Sequence, residues 1–334
     1  KVLVADIHVQ RRLLEEDVKL LKGKRLDKDY FNTLLTGGDP VRDVLQWLDQ
    51  GDVFRANRSD HEWKAFNEVC KSGLAFIPQN EGILAGCVKL ANHQGPWLAV
   101  WERFCEAPQR YPNIPQNIRK CSPPSDTIFW HSGTDSFDGW PQWNDEQEKA
   151  LRHECLAFAH LPAHEARAKI GELEKRHGRR RTLVWAELGE APLARALEHL
   201  ADVAEKMSTS LAAGTVHDLL TGYMQVGWRV DDGVLRALAQ VRNAADMEAV
   251  TAVVRSIYLP WAEASARHLQ KVVDGSSYPG GTHKTATASK PKAGACIVFV
   301  DGLRFDAAKR LADVLLKHGL NVTEEPLWAA LPSV

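Results

Sequence analysis

Cys296-Ile-Val-Phe-Val-Asp-Gly-Leu-Arg-Phe-Asp306 is the stretch on which the reading of the fold turns. Five apolar, mostly β-branched residues run into Asp301-Gly302, and a helical pattern begins directly afterwards. Phe305, Ala308, Leu311, Ala312 and Leu315 fall at helical spacing, and Gly319 stands where that helix would end. A second short run, Leu320-Asn-Val-Thr323, reads as the next strand. A strand, a helix and a strand in succession open a parallel α/β sheet, and such sheets bind ligands at the carboxyl ends of their strands. Asp301 occupies that end.

Two chemistries fit Asp301. Asp-Gly is a common turn between strand and helix, where the carboxylate bonds nearby backbone N–H groups. A carboxylate at the upper edge of a sheet is equally a hard oxygen ligand for a catalytic divalent metal. The local pattern by itself favours the turn.

The longer string decides for the metal. VDGLRFDAAKRLADVLLKHGL (300–320) together with PLWAALPSV (326–334) resembles the start of the catalytic domain of PglZ proteins. These are members of the alkaline phosphatase superfamily found in BREX-type phage-defence systems. The resemblance implies that Asp301, in the Asp-Gly element closing the first strand, binds metal. It places the Thr or Ser nucleophile just after a Leu-Pro-Ser-Val-like element, here Leu331–Val334, so no catalytic nucleophile is expected within the chain. The phase of the motif argues against Ser333 as a stand-in, and the family's later Asp and His ligands are also missing from these 334 residues. Earlier segments resemble the helical region that precedes the catalytic domain in the type B branch of the family. They are GKRLDKDYFNTLL (23–35), DPVRDVLQWLDQ (39–50), RYPNIPQNIRKCSPP (110–124) and LVWAELGEAPLARALEHLADVAE (183–205). The chain accordingly reads as a fragment that stops at the start of the catalytic domain.

The fold class expected is a mainly α-helical body, a flexible linker, and the first β-α-β unit of an α/β alkaline-phosphatase-like domain. Residues 1–120 read as helical. Val2–Ala5 suits either a short strand or the first turn of a helix. Asp39-Pro40 is an N-cap with proline at the first helical position, followed by an apolar stripe of Val41, Val44, Leu45 and Leu48 that Trp47 extends. Trp63, Trp97 and Trp101 read as core anchors, because large aromatics dominate buried area. They lack the interleaved Lys and Arg of a base-stacking surface for nucleic acid.

Residues 121–145, dense in Pro, Gly, Ser and Asp, read as a loop pinned by Trp130, Trp140 and Trp143, with a partner-binding loop as the alternative. Residues 146–273 return to helix, with buried faces at Leu193, Leu197, Leu200 and Val203 and at Val250, Val253, Val254 and Ile257. Pro260 either kinks that last helix or starts a new one. His153, His160 and His164 do not form a metal set, since Pro162 separates the last two and no further ligand completes the spacing. The basic run Lys175–Arg181 reads as a solvated helix end, with a phosphate or partner patch as the alternative. Residues 274–295 form a Gly/Ser/Thr/Lys linker, and 296–334 open the truncated α/β domain. Gly280–Thr285 lacks the spacing and the preceding strand of a phosphate loop.

Charge is balanced, at 42 basic and 43 acidic residues for a net −1. That excludes a generally basic nucleic-acid surface, and no base-reading motif is present. Six scattered cysteines without a C-x-x-C pair read as reduced thiols of a cytoplasmic protein. No run approaches the roughly 20 apolar residues of a membrane span.

The resemblance implies a metal-dependent phosphatase or phosphodiesterase, possible nuclease activity included, acting on a nucleic-acid or phosphoester substrate. The divalent metal would be zinc, or manganese or magnesium, held in part by Asp301. Arg304, one turn on, is a weak phosphate-binding candidate, with pairing to Asp306 or Glu324 as its structural alternative. The partners implied are other BREX components, namely the DNA methyltransferase and a small companion protein. The alternative function is a non-catalytic helical scaffold that docks them. The fragment is expected to be inactive by itself.

Overall fold

The computed structural model describes residues 38–123, 137–275 and 300–324, with single positions at 32, 36, 294, 296 and 298. Among the described residues every regular element is helical. Two compact units form, one within 1–147 and 180–191, the other within 148–179 and 192–334.

Most helices of the first unit are short. Helix α1, Pro40–Gln50, starts as the sequence demands: the Asp39 carboxylate accepts from the Arg42 N–H at 3.0 Å, and Pro40 sets the first turn. Gly51, at φ 57°, ends it with a backbone that a side chain would strain. After α2 (Asp52–Ala56), helix α3 (Asp60–Leu74) opens on a reciprocal capping box between Ser59 and Glu62. Helices α4 (Pro78–Asn92), α5 (Trp97–Glu106) and α6 (Ile114–Arg119) follow. Their common core is aromatic: Trp47, Phe54, Phe66, Phe76, Trp97, Trp101 and Phe104 are buried together with Trp140, Trp143 and Trp185. Trp97 and Trp101 are therefore core residues, while Trp63 packs half-buried against the same cluster.

Helix α7, Pro141–Leu156, begins inside the segment read as a loop, and Trp140 just before it is fully buried. Its indole N–H donates to Asn92 Oδ1 at 3.0 Å, so it belongs to the core and does not merely pin a surface strap. Trp130 lies outside the described residues.

The second unit packs longer amphipathic helices: α8 (Ala163–His177), α10 (Pro192–Lys206), α11 (Val216–Gly222), α12 (Trp228–Gln240) and α13 (Ala244–Asp274). Between the first two lies α9 (Val184–Glu187), part of the first unit. Leu193, Leu197, Leu200, Val203, Val230, Val250, Val253 and Ile257 form an aliphatic core, as their helical spacing predicts. Helices α10 and α12 approach closely where Gly233 lies: a Cβ there would stand 2.5 Å from Val203 Cγ2. Helix α13 continues through Pro260 over 31 residues, so no new helix starts there.

The basic run at 175–181 differs from expectation. His177 and Arg180 are buried, and Arg180 Nη2 donates to Asn144 Oδ1 at 2.8 Å. A 3-10 turn over Gly178–Thr182 ends α8 and carries the Arg180 guanidinium inward, where it satisfies a buried amide oxygen. Only His177 and Arg180 of the run turn inward; Lys175, Arg176 and Arg179 stay exposed, as a solvated helix end has them.

Helix α14, Phe305–Lys317, matches the helix expected after Asp-Gly, and Gly319 follows it at φ 79°. The flanking strands are not formed among the described residues: 298, 300 and 320–324 carry no sheet pairing. Isolated strands have no ladder partner to satisfy their backbone groups. Ile297 and Phe299, like Val2–Ala5 and most of the 274–295 linker, lie outside the described residues.

Candidate functional site

The sequence points to Asp301, so the candidate site is built around the turn that carries it. Asp301 and Gly302 form a turn, with Gly302 at φ 65° in the left-handed region that glycine enters freely. Asp301 is exposed and makes no hydrogen bond or ion pair among the described residues. Its carboxylate is thus available as a hard oxygen ligand. The two residues that follow, Leu303 and Arg304, lead directly into α14.

The start of α14 is fixed by a polar cluster of the second unit, centred on α12. A π-turn over Tyr223–Gly227 precedes α12, with the small Gly222 and Gly227 packed against Leu211 and Tyr223. The turn brings the Tyr223 hydroxyl within 2.7 Å of Asp231 Oδ2, and Tyr258 of α13 donates to Asp231 Oδ1 at 2.8 Å. Burial, and next the bond to Asp231, raise both phenols, Tyr258 to about 12 and Tyr223 further. Both hydroxyls remain proton donors to the carboxylate across the ordinary pH range.

Arg304 reaches this cluster from the other side. Its Nε donates to Asp306 Oδ1 at 2.9 Å, and Nη2 stands 3.9 Å from Asp231 Oδ2. Asp306 is 1% exposed, and its second oxygen has no hydrogen-bond partner among the described residues. Asp232, next along α12, accepts from its own helix's Arg236 at 2.6 Å. Arg310 Nε lies 3.0 Å from the other Asp232 oxygen as an ion pair, without the alignment of a hydrogen bond. Phe305 rests against Tyr223 with ring centres 5.9 Å apart, and Lys309 lies over Trp228 while pairing with Glu324 at 2.6 Å.

The structural alternative for Arg304 is therefore occupied in one of its two forms, by Asp306, while Glu324 is taken by Lys309. Sequence reasoning missed Asp231, Asp232, Tyr223 and Tyr258 altogether. The signal was present only as an Asp-Asp pair on a helix that otherwise reads as amphipathic, and its partners lie far along the chain.

Among the described residues no group of three or more His, Cys, Asp and Glu side chains is placed to hold a metal. Asp301 offers a single ligand, and the described residues do not complete a metal site around it. His153, His160 and His164 likewise stay apart: the first lies on α7, the second in the 3-10 turn Ala157–His160, and Pro162 caps α8 ahead of the third. The described cysteines are free, and burial raises the thiols of Cys70, Cys87, Cys105 and Cys155. Those thiols are poor nucleophiles.

A separate groove of about 750 Å³ lies on the second unit, between the end of α7 and the first half of α13. Leu156, Ala159, Met247, Thr251 and Arg255 line it, and Leu156 and Met247 are exposed. Among the described residues no helix is long and apolar enough to cross a membrane. No family model matches the chain, and no curated protein or solved structure matches it.

Proposed function

We propose that this chain is the helical region and catalytic-domain start of a PglZ-like, metal-dependent phosphohydrolase that works in a BREX-type defence system in the cytoplasm. The observation that carries the proposal is the Asp301–Gly302 turn. It presents a carboxylate without a partner among the described residues immediately before an amphipathic helix, as the first metal ligand of an α/β phosphohydrolase would be. Helix α14 supports the same reading in its packing. Its Asp306 and Ala312 face inward, while Leu311 and Val314 on the opposite side lie open to solvent, the kind of face a β-sheet covers in an α/β domain. The two strands of the proposed β-α-β unit would flank it.

Asp301 would supply one oxygen ligand to a divalent ion, zinc foremost, with manganese or magnesium as substitutes. Such an ion, when bound, withdraws charge from a phosphoryl oxygen and lowers the nucleophile's pKa. The nucleophile and the remaining ligands are not among these 334 residues, so the chain by itself should not turn over phosphate esters. In a protein that includes them, Asp301→Ala should abolish metal-dependent hydrolysis of a phosphodiester while leaving the helical units folded. Hydrolysis at the wild-type rate in that variant would remove Asp301 from the site.

A second reading, a non-catalytic scaffold for the system's DNA methyltransferase or small companion protein, draws on the groove beside α13, where Leu156 and Met247 are exposed. It predicts that Met247→Glu abolishes partner binding while Asp301→Ala leaves defence intact.

A further inference from the structure

Arg304 and Arg310 project from the segment that carries the Asp301 turn, and Asp231 and Asp232 receive them from α12. The two sides are unequal in preparation. Asp231 is already oriented by the Tyr223 and Tyr258 hydroxyls, one on each oxygen, and Asp232 by Arg236. These bonds exist within the helical body and do not need α14. On the other side, Arg304 neutralises Asp306, whose carboxylate is 1% exposed and has an oxygen without a partner among the described residues. A buried carboxylate deprived of its cation is strongly unfavourable, whereas an exposed ion pair contributes little. Arg304, held by Asp306 within its own segment, reaches Asp231 with Nη2 at 3.9 Å as one point of attachment, and Arg310 meets Asp232 at 3.0 Å as the second. Two attachment points six residues apart fix both the position of α14 and its rotation about its axis.

We propose that Arg304 and Arg310 are positioning residues, and that α12 with its two tyrosines is a preformed anionic clamp by which the helical body holds the Asp301–Gly302 turn in one place. The role given to the turn rests on the phosphohydrolase reading; the clamp itself does not. The clamp makes the turn sensitive to residues remote from it in sequence, Tyr258 among them. It also gives Arg304 a cationic partner's work toward Asp306, while 55% of its side chain stays exposed.

Amide hydrogen exchange on the metal-free chain tests this directly. The Ala308 N–H, bonded to Arg304 O at 2.9 Å, is the first closed amide of α14 and reports whether the helix start is held. In Arg304→Ala combined with Arg310→Ala, exchange at Ala308 and through to Ala312 should rise by about tenfold or more, while the amides of α12 keep their wild-type rates. The pair Arg304→Lys with Arg310→Lys, which keeps the charge, should recover most of the protection, and Tyr258→Phe should give an intermediate rise. Unchanged exchange in the double alanine variant would overturn the proposal. So would a loss of protection that spreads equally into α12, or one that the lysine pair does not recover. Because no metal enters the experiment, a failed clamp and a failed phosphohydrolase reading are separate results.

Discussion

The two units solve the same problem, burying helices of modest length, with different side chains. The first unit encloses rings: Trp47, Phe66, Phe76 and Trp97 make one run of ring contacts, with Phe76 and Trp97 edge-to-face at 5.4 Å, and Trp101 with Trp185 makes another. Indole N–H groups then tie the irregular connections down, Trp97 to Leu74 O at 3.2 Å and Trp185 to Asp138 O at 2.7 Å. The second unit has longer helices, an aliphatic core of Leu, Val and Ala, and close backbone approach at Gly233. Short helices present few apolar positions each, so each must be large and carry a polar handle. Long helices repeat a stripe of branched aliphatics over several turns and pack by interdigitation. The polar cluster of Asp231, Asp232, Tyr223 and Tyr258 lies in the second unit.

That contrast can be broken. Trp185→Ala should cost the first unit about 3–5 kcal/mol, the range for removing a buried large aromatic, with an added penalty for the orphaned Asp138 carbonyl. Leu200→Ala in the second unit should cost about 2–5 kcal/mol, toward the lower end if α10 and α12 can close on the gap. Urea unfolding with exchange read separately for each unit checks both. Equal costs, each confined to its own unit, would show that ring size confers no special role.

The contrast also has a pH signature. Asp43, buried on α1 beside Arg58, has its carboxyl pushed up to about 6 from 3.8, burial outweighing the guanidinium. Between those values the folded first unit binds more protons than the unfolded chain. The Asp43 contribution to its stability should therefore be fully present below about pH 4 and be lost as pH rises through 6, by at most about 3 kcal/mol. Asp43→Asn should flatten that limb of the urea midpoint against pH and leave the second unit unchanged. The smallest effect is expected at Gly233. Gly233→Ala places a methyl against Val203 but gains helix propensity, so a net loss of about 1 kcal/mol should appear in thermal unfolding of the second unit alone.

Local signals proved readable where one residue did one job. Asp39-Pro40 capped α1, the apolar stripes of α10 and α13 became buried faces, and Phe305 to Lys317 became helix. Reading failed where a residue's role was set by partners distant in sequence. Arg180 belongs to a basic run that looks solvated, yet Asn144, 36 positions earlier, draws it inside. Leu311 shares the spacing of Phe305 and Ala312 but is exposed, because α14 turns a carboxylate, Asp306, toward the body instead. Proline at 260 carries a strong local signal to break a helix, yet α13 continues past it, with its buried residues all on the preceding turns. For the candidate site, Asp301 and Arg304 were legible as a motif. Asp231, Asp232 and the two tyrosines became visible only once the fold placed them.

The central claim is that Asp301 is a metal ligand on a turn held by the helical body. Calorimetric titration of zinc and of manganese into the protein carrying its complete catalytic domain, wild type beside Asp301→Ala, tests it most directly. Tight binding in the wild type that is lost in the variant is the predicted result. Binding of equal strength in both, or in neither, would contradict it and reduce Asp301 to the turn residue that its Asp-Gly context also allows.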